Sequence, residues 1–191
     1  MGSTEPRQRI VAGAADMMRR RGVNATSVRE LAKHAKAPLG STYHYFPGGK
    51  QQLVTEAVRF AGDVVARALA EELSAGPVEG LRAFLAWWRG VVAKSDFTAG
   101  CPVLAVSVEE PADGATALVA AAEVFTRWES LLADSLRQHG AGEREADQVA
   151  TLTVAAVEGA VAMCRAKRST EPLDRVAVRL EAVVVQALVE R

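Results

Sequence analysis

Cysteine, histidine and aromatic residues are all scarce in this chain, and each scarcity removes a class of function. Two cysteines, Cys101 and Cys164, cannot build a disulfide framework, and three histidines, His34, His44 and His139, form no cluster at zinc-ligand spacing. No metal or cofactor is therefore expected, and both thiols read as small apolar side chains of a core rather than a redox pair. The most apolar run, Val149 to Cys164, is broken by Glu158 and falls short of the ~20 residues that cross a bilayer, so it reads as a buried helix. The opening Thr4-Glu5-Pro6-Arg7 is polar, which predicts a cytoplasmic protein with no membrane partner. There is no nucleophile elbow, dinucleotide fingerprint or metal motif, and "FPGGK" lacks the spacing of a phosphate-binding loop, so no enzyme is expected. Strand-like alternation, internal repeats and low-complexity tracts are missing as well.

What remains is a chain of 191 residues, 49% hydrophobic and 24% charged, enough for one domain and a smaller second. Its formal net charge of zero hides an asymmetry. Residues 1–50 carry nine Lys and Arg against three Asp and Glu, a surplus of +6 that the remainder cancels. A basic head on an acidic body points to a polyanionic partner held by the head alone.

Helical periodicity runs throughout, punctuated by Gly and Pro. A first helix spans about Pro6 to Arg21, with Ile10, Ala14, Met17 and Met18 on one face and Gly22 as its stop. A second follows "NATS", where Thr26 or Ser27 caps it and Val28, Leu31, Ala32 and Ala35 line one face. Pro38 suits the first position of a third, which stops at Phe46 before Pro47. Longer helices are predicted over Lys50 to Ser74, Val78 to Lys94, Ala112 to His139, Glu143 to Arg168 and Pro172 to Glu190, with a short one within "CPVLAVSVEE". The fold class is all-α with about nine helices: a three-helix head over residues 1–50 and a larger helical body over 51–191.

Two short helices joined by a tight turn, after a bracing first helix, make a helix-turn-helix. The second is thin enough for the major groove. It also holds three aromatic rings and a histidine in four consecutive positions, Tyr43, His44, Tyr45 and Phe46 in "GSTYHYFPGGK", a cluster that divides between packing and contact with something outside the protein.

The stretch "TSVRELAKHAKAPLGSTYHYFPGGKQQLV" resembles the DNA-binding segment of the tetracycline-repressor (TetR) family over about residues 5–60. The wording "P-x-G-S-x-Y-H-x-F-P-G-G-K" with a later "GCPV" is most similar to the LmrA/YxaF-type subgroup. The resemblance implies that residues 1–50 are a helix-turn-helix DNA-binding domain with double-stranded operator DNA as partner and that residues 51–191 are an effector-binding and dimerisation domain. Thr26 or Ser27 and Tyr43 would meet phosphates, Arg29 and His44 phosphate or base, and Lys50 the backbone from the next helix. Lys36, Pro38, Leu39 and Ser41 belong to the same expected surface, Leu31, Ala32 and Phe46 to the core, and Tyr45 to either. Three positions depart from the pattern. Lys36 replaces the turn glycine, which strains a turn wherever φ must be positive. Leu39 stands where Lys or Arg is usual and suits a thymine methyl rather than a guanine edge. Thr42 replaces a Leu or Ile.

A dimer that reads two half-sites about 34 Å apart needs a stable seam in the body. The last two helices are the candidates, through Ala156, Ala160, Val176, Leu180, Val183, Val184 and Ala187, although an ordinary core leaves the same stripe. Phe84, Trp87, Trp88, Cys101, Phe125, Trp128 and Glu158 are the candidate walls of a small-molecule pocket, and the aromatics among them are equally readable as core. Glu158 either pairs with an arginine, faces a cavity or reaches solvent. The sequence thus reads as a homodimeric, ligand-responsive transcriptional regulator, a repressor released from a palindromic operator by a hydrophobic or planar effector. A constitutive DNA-binding protein without effector, and a helical enzyme, are the alternatives.

Overall fold

The computed structural model describes residues 4–109 and 115–189. Among these are nine helices and no strand: α1 (Thr4–Arg21), α2 (Val28–His34), α3 (Leu39–Tyr45), α4 (Gly49–Leu73), α5 (Pro77–Lys94), α6 (Pro102–Val108), α7 (Thr116–Gln138), α8 (Glu143–Lys167) and α9 (Glu171–Val189). The expected starting and ending residues Ala112 and Glu190 lie outside the described residues. The chain forms two compact units, residues up to 63 with 101–124, and residues 64–100 with 125 onwards. The first takes in more than the helix-turn-helix, because α6 and the beginnings of α4 and α7 cluster with it.

In the first unit α1 buries Ile10, Ala14, Met17 and Met18, the face its periodicity predicts. It ends at Gly22, whose φ of +79° suits glycine and whose N–H donates to the Met18 carbonyl at 2.9 Å. A capping box opens α2: the Ser27 hydroxyl accepts from the Glu30 N–H at 3.2 Å, and the Ser27 N–H donates to the Glu30 carboxylate at 2.9 Å. Leu31 and Ala32 anchor α2 in the core, with Val28 and Ala35 half-buried. α1 and α2 cross closely. A Cβ on Gly13 would fall 2.8 Å from the Ala35 Cβ, so the crossing itself requires glycine.

The turn after α2 closes with the Lys36 N–H donating to the Lys33 carbonyl at 3.1 Å and the Ala37 N–H to the Ala32 carbonyl at 2.9 Å. This pair of bonds is the Schellman arrangement. It places Lys36 at φ +53°, the conformation in which the sequence departure predicts strain. Pro38 caps α3 from just outside the helix, one residue earlier than its predicted place at the first helical position. Thr42, fully buried, donates its hydroxyl to the Pro38 carbonyl at 3.2 Å, which explains how a polar residue serves where a larger apolar one is usual. Phe46 is 1% exposed, with the Arg7 guanidinium 5.1 Å above its ring.

In the second unit α5, α8 and α9 pack on one another. α5 opens with Pro77 after Gly76 at φ +97°. At 25 residues α8 is long and apolar enough to cross a membrane by length and composition, more than its Glu158-broken apolar run predicts. Its buried face includes Val149, Val157, Val161 and Cys164.

Candidate nucleic-acid interface and apolar cavity

The helix-turn-helix exposes most of the residues predicted to meet DNA. Ser27, Arg29, Lys36, Pro38, Tyr43 and His44 are exposed, and Leu39, Ser41 and Lys50 are half-buried. Thr26 is the exception: it is 4% exposed, and its hydroxyl donates to the Val23 carbonyl at 2.8 Å. Of the Thr26 and Ser27 alternatives, only Ser27 therefore stands at the surface as the N-cap, and Thr26 closes the loop before it. Tyr45 is half-buried, its ring edge-on to His44 at 5.6 Å, so it packs partly and shows partly. Tyr43 and His44 point outward, which resolves the aromatic cluster into an inner Phe46 and an outer pair.

Two electrostatic features set this surface. Asp16 on α1 bonds Arg19 at 2.8 Å, Arg20 at 3.1 Å and the Nε2 of His34 on α2 at 2.9 Å. Burial pushes its carboxyl up, but bonds from these three partners outweigh it and hold the group at about 2. The Glu30 carboxyl is lowered by bonds from the Ser27 hydroxyl and amide, so the capping box stays charged and closed.

A further contact escapes sequence reasoning. The Glu109 carboxylate, just past α6, accepts from the Val23 N–H at 2.9 and 3.1 Å and from the Asn24 N–H at 2.7 Å. It holds the α1–α2 loop from a point 85 residues away in the chain. No local signal marks a capping group so remote in sequence.

In the second unit Phe84, Trp88, Trp128 and Glu158 line one cavity, with Leu69 and Thr153 among its other walls. Its void is about 10 Å³, room for one water molecule. Glu158 is 6% exposed and Thr153 1%, and the Thr153 hydroxyl lacks a hydrogen-bond partner. Apart from this carboxyl and this hydroxyl the lining is apolar. Three residues expected in the pocket are placed elsewhere. Trp87 is half-buried behind the wall, stacked on Phe84 at 5.9 Å, and Phe125 meets Trp128 edge-on at 5.5 Å without reaching the void. Cys101 belongs to the first unit, buried as the N-cap of α6.

The apolar stripe expected at the dimer seam is largely turned inward. Ala160, Leu180, Val184 and Ala187 are buried within the protomer, while Ala156, Val176 and Val183 are half-buried. A core contact accounts for them, since α8 and α9 pack on each other and both on α5. Both helices carry a second apolar face, and it is exposed: Leu152, Ala155, Gly159 and Met163 on α8, and Val178, Ala182 and Val185 on α9.

Two family models match the chain. Residues 10–57 match the family described as bacterial regulatory proteins, tetR family, and residues 77–179 match the transcriptional regulator LmrA/YxaF-like C-terminal domain. An HTH-type transcriptional regulator of Mycobacterium tuberculosis is 39% identical over 191 residues, covering 97% of each chain. The HTH-type transcriptional regulator LmrA of Bacillus subtilis is 29% identical over 175 residues, covering 91% of this chain and 93% of its own. The crystal structure of regulatory protein TetR from Rhodobacter sphaeroides superposes with a TM-score of 0.84 at 23% identity, covering 92% of this chain and 97% of its own. With its exposed helix-turn-helix surface and its LmrA/YxaF-like helical body, the chain belongs to the TetR family and is a DNA-binding transcriptional regulator, not an enzyme.

Proposed function

We propose that the protein is a homodimeric repressor that binds a palindromic operator and is released by a small hydrophobic or planar effector. The observation that carries this reading is the exposed apolar face of α8 and α9 in a helix-turn-helix protein. Val178 is 69% exposed, Leu152 48%, Met163 46% and Val185 43%, a patch that water disfavours and a second copy would cover. Gly159 lies at its middle, where an added Cβ meets nothing within 4 Å of the protomer, so the helix surface is open to close approach. This moves the seam from the inward stripe read in the sequence to the opposite face of the same two helices.

Two heads held at fixed spacing would present two α3 helices to successive turns of major groove. The effector would enter the Trp88 and Trp128 chamber, and because the void holds only about one water, it must move those rings to fit. An effector that favours the rearranged state lowers DNA affinity by its preference between states. α4 contributes residues to both units and supplies a continuous backbone path for such coupling. The site of action is the bacterial cytoplasm, where the operator is.

The test is selection of duplexes from a random pool at two salt concentrations, with the oligomeric state measured by light scattering. Enrichment of a palindrome by a dimer, and loss of both on placing aspartate at Met163 and Val178 together, is the expected result. A monomer that selects a single half-site would refute the dimer. A selected operator whose binding no hydrophobic or planar compound weakens would favour the constitutive alternative.

A further inference from the structure

Glu158 and Thr153 of α8 open on the same small void in the second unit. A carboxyl held among apolar side chains is costly, and so is a hydroxyl that makes no bond. Glu158 is 6% exposed and Thr153 1%, and no described residue bonds the Thr153 Oγ1. Neither packing nor folding gains from placing the two groups here, whereas a ligand that bonds both of them would. No Lys, Arg or His is among the described residues that line the chamber, so the carboxyl has no cation in its wall. Phe84, Trp88 and Trp128 supply aromatic walls, each at most 5% exposed, and the remaining walls are Val and Leu.

These features select the sign of a ligand's charge. A carboxylate draws in a cation and repels an anion, and the electron-rich face of an aromatic ring also attracts a cation. The Thr153 hydroxyl both accepts and donates, so it adds a bond without fixing the sign. Size agrees as well: a void of about 10 Å³ holds one water molecule, and an ammonium group occupies about the same space. We propose that the chamber binds an amphipathic cation, a protonated amine on an apolar body. Its ammonium bonds the Glu158 carboxylate and the Thr153 hydroxyl, and its apolar body displaces the Trp88 and Trp128 rings and lies against them. The inference rests on the effector reading above and adds to it the charge of the effector, which an apolar lining alone leaves open.

The experiment titrates full-length wild type, Glu158→Gln and Thr153→Val with three probes that share one planar body: naphthylmethylammonium, naphthylmethanol and naphthoate. Calorimetry reads the affinities, and thermal melting checks that each variant folds. Wild type should bind the ammonium probe about tenfold or more tighter than the alcohol, and the carboxylate most weakly. Glu158→Gln should bring the ammonium and the alcohol within about twofold of each other, with the alcohol's affinity unchanged within about twofold. Thr153→Val should weaken the ammonium probe about threefold or more. A cation preference that survives in Glu158→Gln overturns the inference, because attraction to the acidic body would then explain it. Wild type that binds the alcohol or the carboxylate as tightly as the ammonium overturns it too, and leaves the hydrophobic effector reading intact. That comparison needs no variant, so it holds even where Glu158→Gln fails to fold. If wild type binds none of the three probes, the chamber does not open to a planar compound, and the effector reading fails together with this inference.

Discussion

Removing the Glu109 carboxylate should loosen the loop between α1 and α2. The two backbone amides it receives, from Val23 and Asn24, follow the end of α1, where the chain leaves one helix and has not begun the next. Hydrogen bonds to a charged acceptor contribute about 1.5–3 kcal/mol each in a dry site. Here the Asn24 contact is exposed and the Val23 contact partly so, and water replaces much of what is lost. Glu109→Ala should therefore cost about 1–2 kcal/mol in total, a fall in melting temperature on the order of 5 °C for a chain of this size. Hydrogen exchange gives the local readout, because both amides should lose protection in the variant while the buried amides of α1 keep theirs. Gly22 supplies a second handle. A Cβ there would stand 2.1 Å from the Glu109 Oε1, so Gly22→Ala suffers both the positive φ of +79° and a collision with the carboxylate. In the Glu109→Ala background the collision is gone and only the φ penalty remains. The double variant should accordingly be more stable than the sum of the two losses by about 1 kcal/mol. Strict additivity, or an Asn24 amide that exchanges freely in wild type, would refute the contact and its assigned role.

Other outcomes follow from single residues. Lys36→Gly should raise stability by about 1 kcal/mol in chemical denaturation, since a side chain at φ +53° is relieved; an unchanged midpoint would mean the turn is not strained. Asp16 titrates at about 2 against a usual 3.8, so its contribution is present above about pH 4 and lost as pH falls through 2. Asp16→Asn should cost about 1 kcal/mol at neutral pH, after allowing for its partial exposure, and the gap to wild type should close between about pH 4 and 2 in acid-unfolding curves. Leu39→Arg should move the selected duplex toward guanine at one base pair per half-site, and an unchanged selection would show that position 39 does not read DNA.

Helix existence and the order of elements were legible because Gly22, Pro38, Pro47, Gly76 and Pro77 punctuate the chain, and because local rules govern helix ends. The Ser27 cap and the Lys36 turn could be anticipated for the same reason: their partners lie within five residues. The Glu109 contact could not, since its partners are joined only by the folded chain. The cavity fell between these cases. Trp88, Trp128, Phe84 and Glu158 converge on one void, yet helical periodicity alone could not separate them from Trp87 and Phe125, which belong to the same aromatic cluster but face away from it.

The limit of periodicity shows most clearly at the proposed seam. An amphipathic stripe reveals that a helix has an apolar face, and its natural first use is the core of its own chain. In α9 the strongest stripe, through Leu180, Val184 and Ala187, serves that use, and the weaker line through Val178, Ala182 and Val185 remains outside. When both faces are apolar, the phase of the hydrophobic pattern names no neighbour, because burial against α5 and burial against a second copy demand the same side chains. The distinction lies in the protomer's accessible surface. Valine on the outer line leaves apolar surface in water that a second copy would cover, and substituting aspartate at Met163 and Val178 tests that cover without disturbing the inner stripe.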